Sequence, residues 1–315
     1  MIKKKILVDG GLGTIGSYLI PFLREKGYDV LCSDVLIRDF SGYVRGDITD
    51  FENMYRIFKE YKPDIVIHMA AEVGRIIGEA HPHRVFDINI LGSLNIIRLC
   101  LEFNSILVNF STSEVYGHLL DRGEAVKESD AEVYGNFFAQ TNLYAMSKLF
   151  VEGMIKHYVD NYGLRAISVR PFMIYAPNEY PSVYRSAIIN FVHNALTDKR
   201  LTVHKGTVRS WCFVSDFSEA LELVIKQPWK GKYEVYNIGS DEYYTMLEVA
   251  KIVLVECGLS CDLIDIVEPP DHFLSIVKKC NIEKLKRLGY KPKVSLREGI
   301  KQVVDWQRRR LNVQI

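Results

Sequence analysis

No apolar run in this sequence reaches the roughly 18 residues that a membrane-spanning helix requires, and no tract is repeated or low in complexity. Cysteines are few and scattered: Cys32, Cys100, Cys212, Cys257, Cys261 and Cys280 show no C-x-x-C and no histidine-rich spacing beside them. Free thiols in a reducing cytoplasm are expected, and no metal site. An excess of one charge is also missing, because 40 Lys and Arg against 39 Asp and Glu leave a net charge of +1. No overall field then draws the chain to nucleic acid or to a membrane surface, and any anionic ligand must be held locally. The N-terminus leads into a strand-like run and not into a cleavable signal, so a cytoplasmic location is expected.

What is present is 48% hydrophobic content over 315 residues, enough to bury a full core, and the length suits one large domain with a smaller lobe as well as two separate domains. Lys5–Asp9, Asp29–Asp34, Asp64–His68, Ile106–Phe110 and Ala166–Arg170 read as short strands separated by stretches of helical period. That alternation predicts an α/β fold with a doubly wound parallel sheet. After Arg170 the pattern loosens around Pro177 and Pro181. Residues 1–170 are assigned to the sheet domain, with 211–238 returning to it, and 171–210 with 239–315 to a smaller C-terminal α/β lobe. Arg308, Arg309 and Arg310 end a predicted helix, where cations offset the helix dipole.

A glycine turn at Gly10, Gly13 and Gly16 follows the first strand and opens a helix from about Thr14 to Lys26. Gly10 permits the tight turn, Gly13 lets a pyrophosphate approach the backbone, and Gly16 lets helix and strand pack closely. Asp34 ends the next strand, where a carboxylate accepts the adenosine ribose hydroxyls and repels a 2′-phosphate, favouring NAD over NADP. Its alternative is an ordinary strand-end carboxylate. Pro21 is anomalous, since its ring should clash with the Ser17 carbonyl and kink the helix.

Tyr144 and Lys148 are four residues apart, which on a helix places phenol and ammonium on one face. The Lys charge would lower the Tyr pKa toward working pH, as a general base requires. Thr112, at a strand end, could orient the same substrate hydroxyl; its plain reading is a satisfied strand-end hydroxyl. His68, in a buried strand, reads as a hydrogen-bonded core residue, and Asp9 has no evident role.

These motifs resemble the extended short-chain dehydrogenase/reductases, and within them the NAD-dependent nucleotide-sugar epimerase/dehydratase family. Gly10-Gly-Leu-Gly-Thr-Ile-Gly16, Gly46-Asp-Ile-Thr-Asp50, Asp64-Ile-Val-Ile-His-Met-Ala-Ala71, Asn89-Ile-Leu-Gly92, Ser111-Thr-Ser-Glu-Val-Tyr-Gly117, Tyr144 with Lys148, and Arg170-Pro-Phe follow the family order. The resemblance implies a Rossmann-like domain that binds NAD through Gly10, Gly13, Thr14, Ile15, Gly16 and Asp34. Asp47 and Ile48 would flank the adenine, Ala70 and Ala71 would line the cofactor groove, and Asn89 would steady the central helices. Tyr144 and Lys148 would also meet the cofactor. The family usually has Thr where Asp9 stands.

On the substrate side, the resemblance implies that Arg209 meets a diphosphate and that Val203 runs beside the nucleotide base. Met173 stands where the family commonly has Asn, and Lys278 or Lys279 replaces a later substrate Arg. A homodimer is implied, built from the helices containing Asn89 to Phe103 and Tyr144 to Tyr158. The expected chemistry is transient oxidation of a nucleotide-diphosphate sugar at C4 by Tyr144, Lys148 and Thr112. Glu114, with Ser113 before it, is the discriminating residue: a carboxylate there could remove the C5 proton, which leans the reading to a 4,6-dehydratase. The alternatives are a 4-epimerase, a nucleotide-uronate decarboxylase and a catalytically silent dinucleotide-binding sensor or scaffold.

Overall fold

The computed structural model describes residues 3–134, 140–182, 185–269 and 275–312. Seven strands form one parallel sheet: β1 (Lys5–Asp9), β2 (Asp29–Asp34), β3 (Tyr43–Arg45), β4 (Ile65–His68), β5 (Ile106–Phe110), β7 (Arg165–Pro171) and β12 (Glu234–Ile238). Their spatial order is β12-β7-β5-β4-β1-β2-β3, so the order reverses between β1 and β4. At such a switch point the connections leave in opposite directions and open a crevice at the carboxyl ends of the strands.

The sheet is doubly covered because its strands are apolar on both faces. Within β1, Ile6 and Val8 join Leu19, Leu23, Phe217 and Leu221 on one side. Leu7, pointing the other way, joins Val66, Leu107, Ile96 and Ile155 on the opposite side. The two-residue side-chain period of one five-residue strand thus seeds two cores.

The chain after β7 builds a second body around Ile188, Val192, Trp211, Val249, Val253, Ile300 and Val303. β6 (Ala125–Val126), β10 (Val208–Ser210), β13 (Tyr243–Thr245) and β15 (Val277–Cys280) form a four-stranded sheet ordered β13-β10-β15-β6. β8 (Ile174–Tyr175) pairs with β11 (Cys212–Phe213), and β9 (Leu201–His204) with β14 (Ile264–Val267). Of the stretch expected to return to the main sheet, Glu234–Ile238 lies beside β7, whereas Cys212–Phe213 pairs outside it.

Helix ends follow their side chains. Asn142 caps the helix Leu143–Tyr162 by accepting from the Ala145 N–H at 2.8 Å, and Gly163, at φ 76°, ends it. Thr245 and Glu248 form a capping box on Met246–Cys257. The helix Gly16–Glu25 runs through Pro21 without the expected interruption. Pro21 lies one turn after Ser17, the second helical residue, and both are exposed. The carbonyl left without an N–H lies on a stretch of helix open to water, which can replace the missing donor.

One buried brace holds β7 to the long helix. Arg170, 2% exposed, donates from Nε and Nη2 to the two carboxylate oxygens of Glu152 at 2.9 and 2.6 Å, and from Nη1 to the Tyr116 hydroxyl and the Glu128 carbonyl. Tyr116 in turn donates to Asn237 Oδ1 on β12 at 2.6 Å. Glu152→Ala should cost about 3–5 kcal/mol, because it strands a buried guanidinium. Urea unfolding of the two proteins measures the difference.

Candidate active site

The glycine turn sits at the crevice between β1 and β4. Gly10 has φ +64°, and a Cβ there would lie 2.6 Å from the Ala70 nitrogen; a Cβ on Gly16 would lie 2.2 Å from the Gly11 carbonyl oxygen. Backbone meets backbone at both positions, so neither tolerates a side chain. Gly13 is exposed, and its missing Cβ would touch nothing closer than the Gly10 oxygen at 3.4 Å. Its N–H donates to the Gly10 carbonyl at 3.2 Å, and Thr14 and Ile15 lead from it into the helix.

Asp34 accepts from the Leu12 N–H at 3.1 Å with one oxygen and from the Leu36 N–H at 3.3 Å with the other. It thus ties the glycine turn to the end of β2. Asp47 is exposed and accepts from the Thr49 amide and hydroxyl. Ile48 is buried against Gly92, where a Cβ would approach its side chain to 2.7 Å. Ala70 and Ala71 follow β4, half-buried beside the turn. Asn89 lies in a π-helical stretch, Val85–Gly92, that precedes the helix Ser93–Glu102. Its amide accepts from Glu72 N–H at 2.8 Å and donates to Ser147 Oγ at 3.0 Å, joining the loop after β4 to the helix of Tyr144.

Thr112 follows β5 and caps a short 3-10 stretch by accepting from the Glu114 N–H. Tyr144 and Lys148 project from the first two turns of Leu143–Tyr162, both buried. Lys148 Nζ donates to the Phe110 carbonyl at 2.8 Å. Burial lowers the Lys148 pKa to about 8, opposed by the charges of Asp9 and Glu152. The Tyr144 phenol is pushed up by burial, eased by its hydrogen bond with Thr112 and raised further by Glu114. The spacing argument has Lys148 lowering this phenol; here the ammonium is engaged by the Phe110 carbonyl, and burial sets the direction.

The C-terminal lobe reaches this site through Lys278. Its ammonium forms an ion pair with Glu114, both largely buried; Ser113 beside it is buried too. Burial acts against the Glu114 charge, but Lys278, Arg75 and Arg209 outweigh it and hold the carboxyl below its usual range. Lys278 has the opposite balance: burial, Arg209 and Arg75 together exceed the help from Glu114, so its pKa falls. Lys279, the other candidate from the sequence, instead lies over the Tyr243 ring at 5.6 Å.

Arg209 is buried with Nη1 donating to the Val208 and Ile276 carbonyls and Nη2 to that of Ser275. Burial lowers its pKa to about 10. Met173 adopts φ 39°, an uncommon backbone for Met, directly after Arg170-Pro-Phe at the end of β7. Val203 has its side chain 2% exposed inside the lobe core, because it alternates with the exposed Thr202 on β9. Sequence reasoning missed Arg75, which starts a short helix after the groove and carries no motif, and the Asn142 cap. Among the described residues no group of three His, Cys, Asp or Glu is placed to hold a metal, and no helix is long and apolar enough to cross a membrane.

Lys278→Met should destabilise the protein at neutral pH by about 1–3 kcal/mol, the cost of a buried acceptor left without its donor. Because the folded-state Glu114 pKa is depressed, the stability it contributes is present above its unfolded value, about 4.3, and is lost as pH falls through the folded value. The difference between the two proteins should therefore narrow in acid, which denaturant titration at several pH values measures.

Residues 6–239 match the model of the NAD dependent epimerase/dehydratase family. The chain is 29% identical to a dTDP-D-glucose 4,6-dehydratase of Bos taurus, covering 97% of this chain and 89% of the relative. It is also 29% identical to a UDP-N-acetyl-alpha-D-glucosaminuronate decarboxylase of Bacillus cytotoxicus, covering 98% of each. The solved UDP-glucose 4-epimerase of Thermus thermophilus in complex with NAD superposes with a TM-score of 0.84 at 27% identity, over 96% of this chain and 99% of that one. The glycine cradle, the carboxylate of Asp34 at the end of β2 and the doubly wound sheet fit that cofactor. Three reaction types thus surround one architecture, and the chain belongs to the NAD dependent epimerase/dehydratase family, whose enzymes work on nucleotide sugars.

Proposed function

We propose that the protein is a 4,6-dehydratase of a nucleoside-diphosphate sugar, with Tyr144, Thr112 and Lys148 working at C4 and Glu114 with Lys278 at C5 and C6. The observation that carries this reading is the buried Glu114–Lys278 pair next to the Tyr144 and Thr112 hydroxyls. It places a carboxylate and a proton-bearing ammonium in one spot, and an elimination needs both a base and an acid. A 4-epimerase, which only has to let the keto sugar turn over, needs neither.

In this reading Gly10, Gly13, Thr14, Ile15 and Gly16 hold the pyrophosphate of NAD at the start of Gly16–Glu25, and Asp34 accepts the ribose hydroxyls. When bound, NAD supplies the hydride acceptor and donor, and its oxidised ring adds positive charge that favours a Tyr144 phenolate. Thr112 orients the C4 hydroxyl, and Tyr144 takes its proton. Lys148 binds the nicotinamide ribose and contributes charge. The C4 ketone acidifies C5, and Glu114 removes that proton while the C6–O bond breaks. Lys278 protonates the departing oxygen, which leaves as water. A depressed ammonium pKa makes Lys278 the better acid, and it stands in for the Asp that Ser113 replaces. Glu114 then returns its proton to C5 as the hydride arrives at C6, so the sequence is redox-neutral. Arg209 and Arg75 face the diphosphate, with Met173 toward the sugar.

Incubation with a panel of UDP-, dTDP-, GDP- and CDP-sugars, read by mass spectrometry and proton NMR, should give a product lighter by one water. Unchanged mass with an inverted C4 proton would make the protein an epimerase, and loss of carbon dioxide from a uronate a decarboxylase. Tyr144→Phe should lower turnover by about 100-fold or more; an unaltered rate would take the base role away from Tyr144, and no turnover of any sugar in the panel would return the protein to the sensor or scaffold reading.

We further propose a homodimer through the two helical runs that carry Asn89 and Tyr144. Phe86 and Leu91 on the first and Phe150 on the second are apolar and roughly half exposed, and the runs pack on each other. Light scattering should give twice the 36.2 kDa chain mass; a monomer would remove the proposal.

A further inference from the structure

Asp9 and His68 occupy the last positions of β1 and β4 and are register partners across the switch point. Each is 1% exposed. His68 Nδ1 lies 2.9 Å from both carboxylate oxygens of Asp9. Asp9 Oδ1 also accepts the Met69 N–H at 2.9 Å and the Ala70 N–H at 2.8 Å. On the other side of the ring, His68 Nε2 lies 2.9 Å from Ser93 Oγ, and Ser93 Oγ lies 2.5 Å from the Asn89 carbonyl oxygen.

The protons can be counted. A carbonyl only accepts, so the single Ser93 hydroxyl proton goes to Asn89, and Ser93 must accept from His68 Nε2–H. At Nδ1 the partner is the Asp9 carboxylate, whose Oδ1 already accepts two backbone N–H bonds and lies as close to Nδ1 as Oδ2 does, so the hydrogen of that contact belongs to the ring nitrogen. Nδ1 must then also carry hydrogen, and both ring nitrogens are donors.

We infer that Asp9 and His68 form a buried carboxylate–imidazolium pair that cancels the Asp9 charge beneath the cofactor pyrophosphate and positions the Met69–Ala70 loop lining the groove. The pair accounts for an acidic residue where the glycine turn must receive an anion. Without the imidazolium, a carboxylate adjoining Gly10 would repel the pyrophosphate in a medium that screens poorly. The other titratable groups acting there do not supply the missing positive charge in full. Cys100, on Ser93–Glu102, is pushed up by burial and by Asp9 and stays neutral. Lys148 feels Asp9, but burial brings it down to about 8 and its ammonium is taken by the Phe110 carbonyl. Asp9 and His68 are positioning residues, since neither is placed to touch the reacting sugar.

The inference rests on the NAD site and not on the sugar chemistry, so its test uses NAD alone. Nitrogen NMR of histidine-labelled protein near neutral pH should give a His68 signal with both nitrogens protonated. His68→Asn keeps a donor toward Asp9 but removes the positive charge, and calorimetric titration should find NAD binding weakened by about tenfold or more. Adding Asp9→Asn to that variant removes the stranded charge and should recover most of the loss. A merely structural role gives the opposite order, with the double variant no better than the single one. That order, or a neutral His68 ring in the wild-type spectrum, would overturn the inference; if His68→Asn fails to fold, the spectrum decides alone.

Discussion

Everything in this site hangs on how closely the ends of β1 and β4 approach one another. The Gly10 peptide and the Ala70 amide leave no room for a methyl group between them, and the Asp9 carboxylate ties the same two segments by accepting from Met69, Ala70 and His68. This seam divides the sheet, since the chain winds one way from it through β2 and β3 and the other way through β5, β7 and β12. It also fixes where the glycine turn points, and hence where a pyrophosphate can lie. From β4 the seam is carried outward by hydrogen bonds: His68 to Ser93, Ser93 to the Asn89 backbone, and the Asn89 amide to Ser147, whose hydroxyl donates to the Tyr144 carbonyl. Five elements are therefore positioned by one contact chain whose polar members each have a partner.

The sheet is legible in the sequence because its signals are local. A run such as Lys5-Ile-Leu-Val-Asp9 is apolar, short and followed by glycines, and it forms the strand read from it. The helix of Tyr144 and Lys148 is equally plain. What the sequence conceals is pairing. Cys212–Phe213 looks like any buried strand, but its partner is Ile174–Tyr175, a choice made by how the lobe folds and not by its own residues. Val203 belongs to a motif-like segment, yet strand alternation turns it inward. Pro21 breaks a propensity rule without breaking a helix, because the rule's cost depends on whether the orphaned carbonyl is wet.

Charged residues pose the same difficulty more sharply. The two conspicuous candidates, Glu114 and Arg209, read in sequence as free groups facing a substrate. The structure gives them partners from distant chain segments, 164 residues away for Glu114, and backbone carbonyls for Arg209. Nothing in a local motif carries that information. Asp9 is the reverse case, a departure visible in the sequence whose explanation needs the neighbouring strand.

Two buried ion pairs in this chain illustrate how structural and functional charge can be told apart. Arg170 has its fork filled by Glu152, Tyr116 and a carbonyl, and its charge is reinforced on every side. Such a saturated network gains nothing by change and rigidifies what it joins. Lys278 stands in a different field. It shares one carboxylate with two guanidiniums, so its positive charge is disfavoured where it stands. In the proposed reaction a dianionic diphosphate beside Arg75 and Arg209 would relieve that excess, while Glu114 would be freed in proportion as Lys278 turns to the C6 oxygen. Under the proposed dehydratase chemistry the pair is held in reserve: stable enough to keep an acid and a base dry, and poor enough in partners to give them up to a substrate.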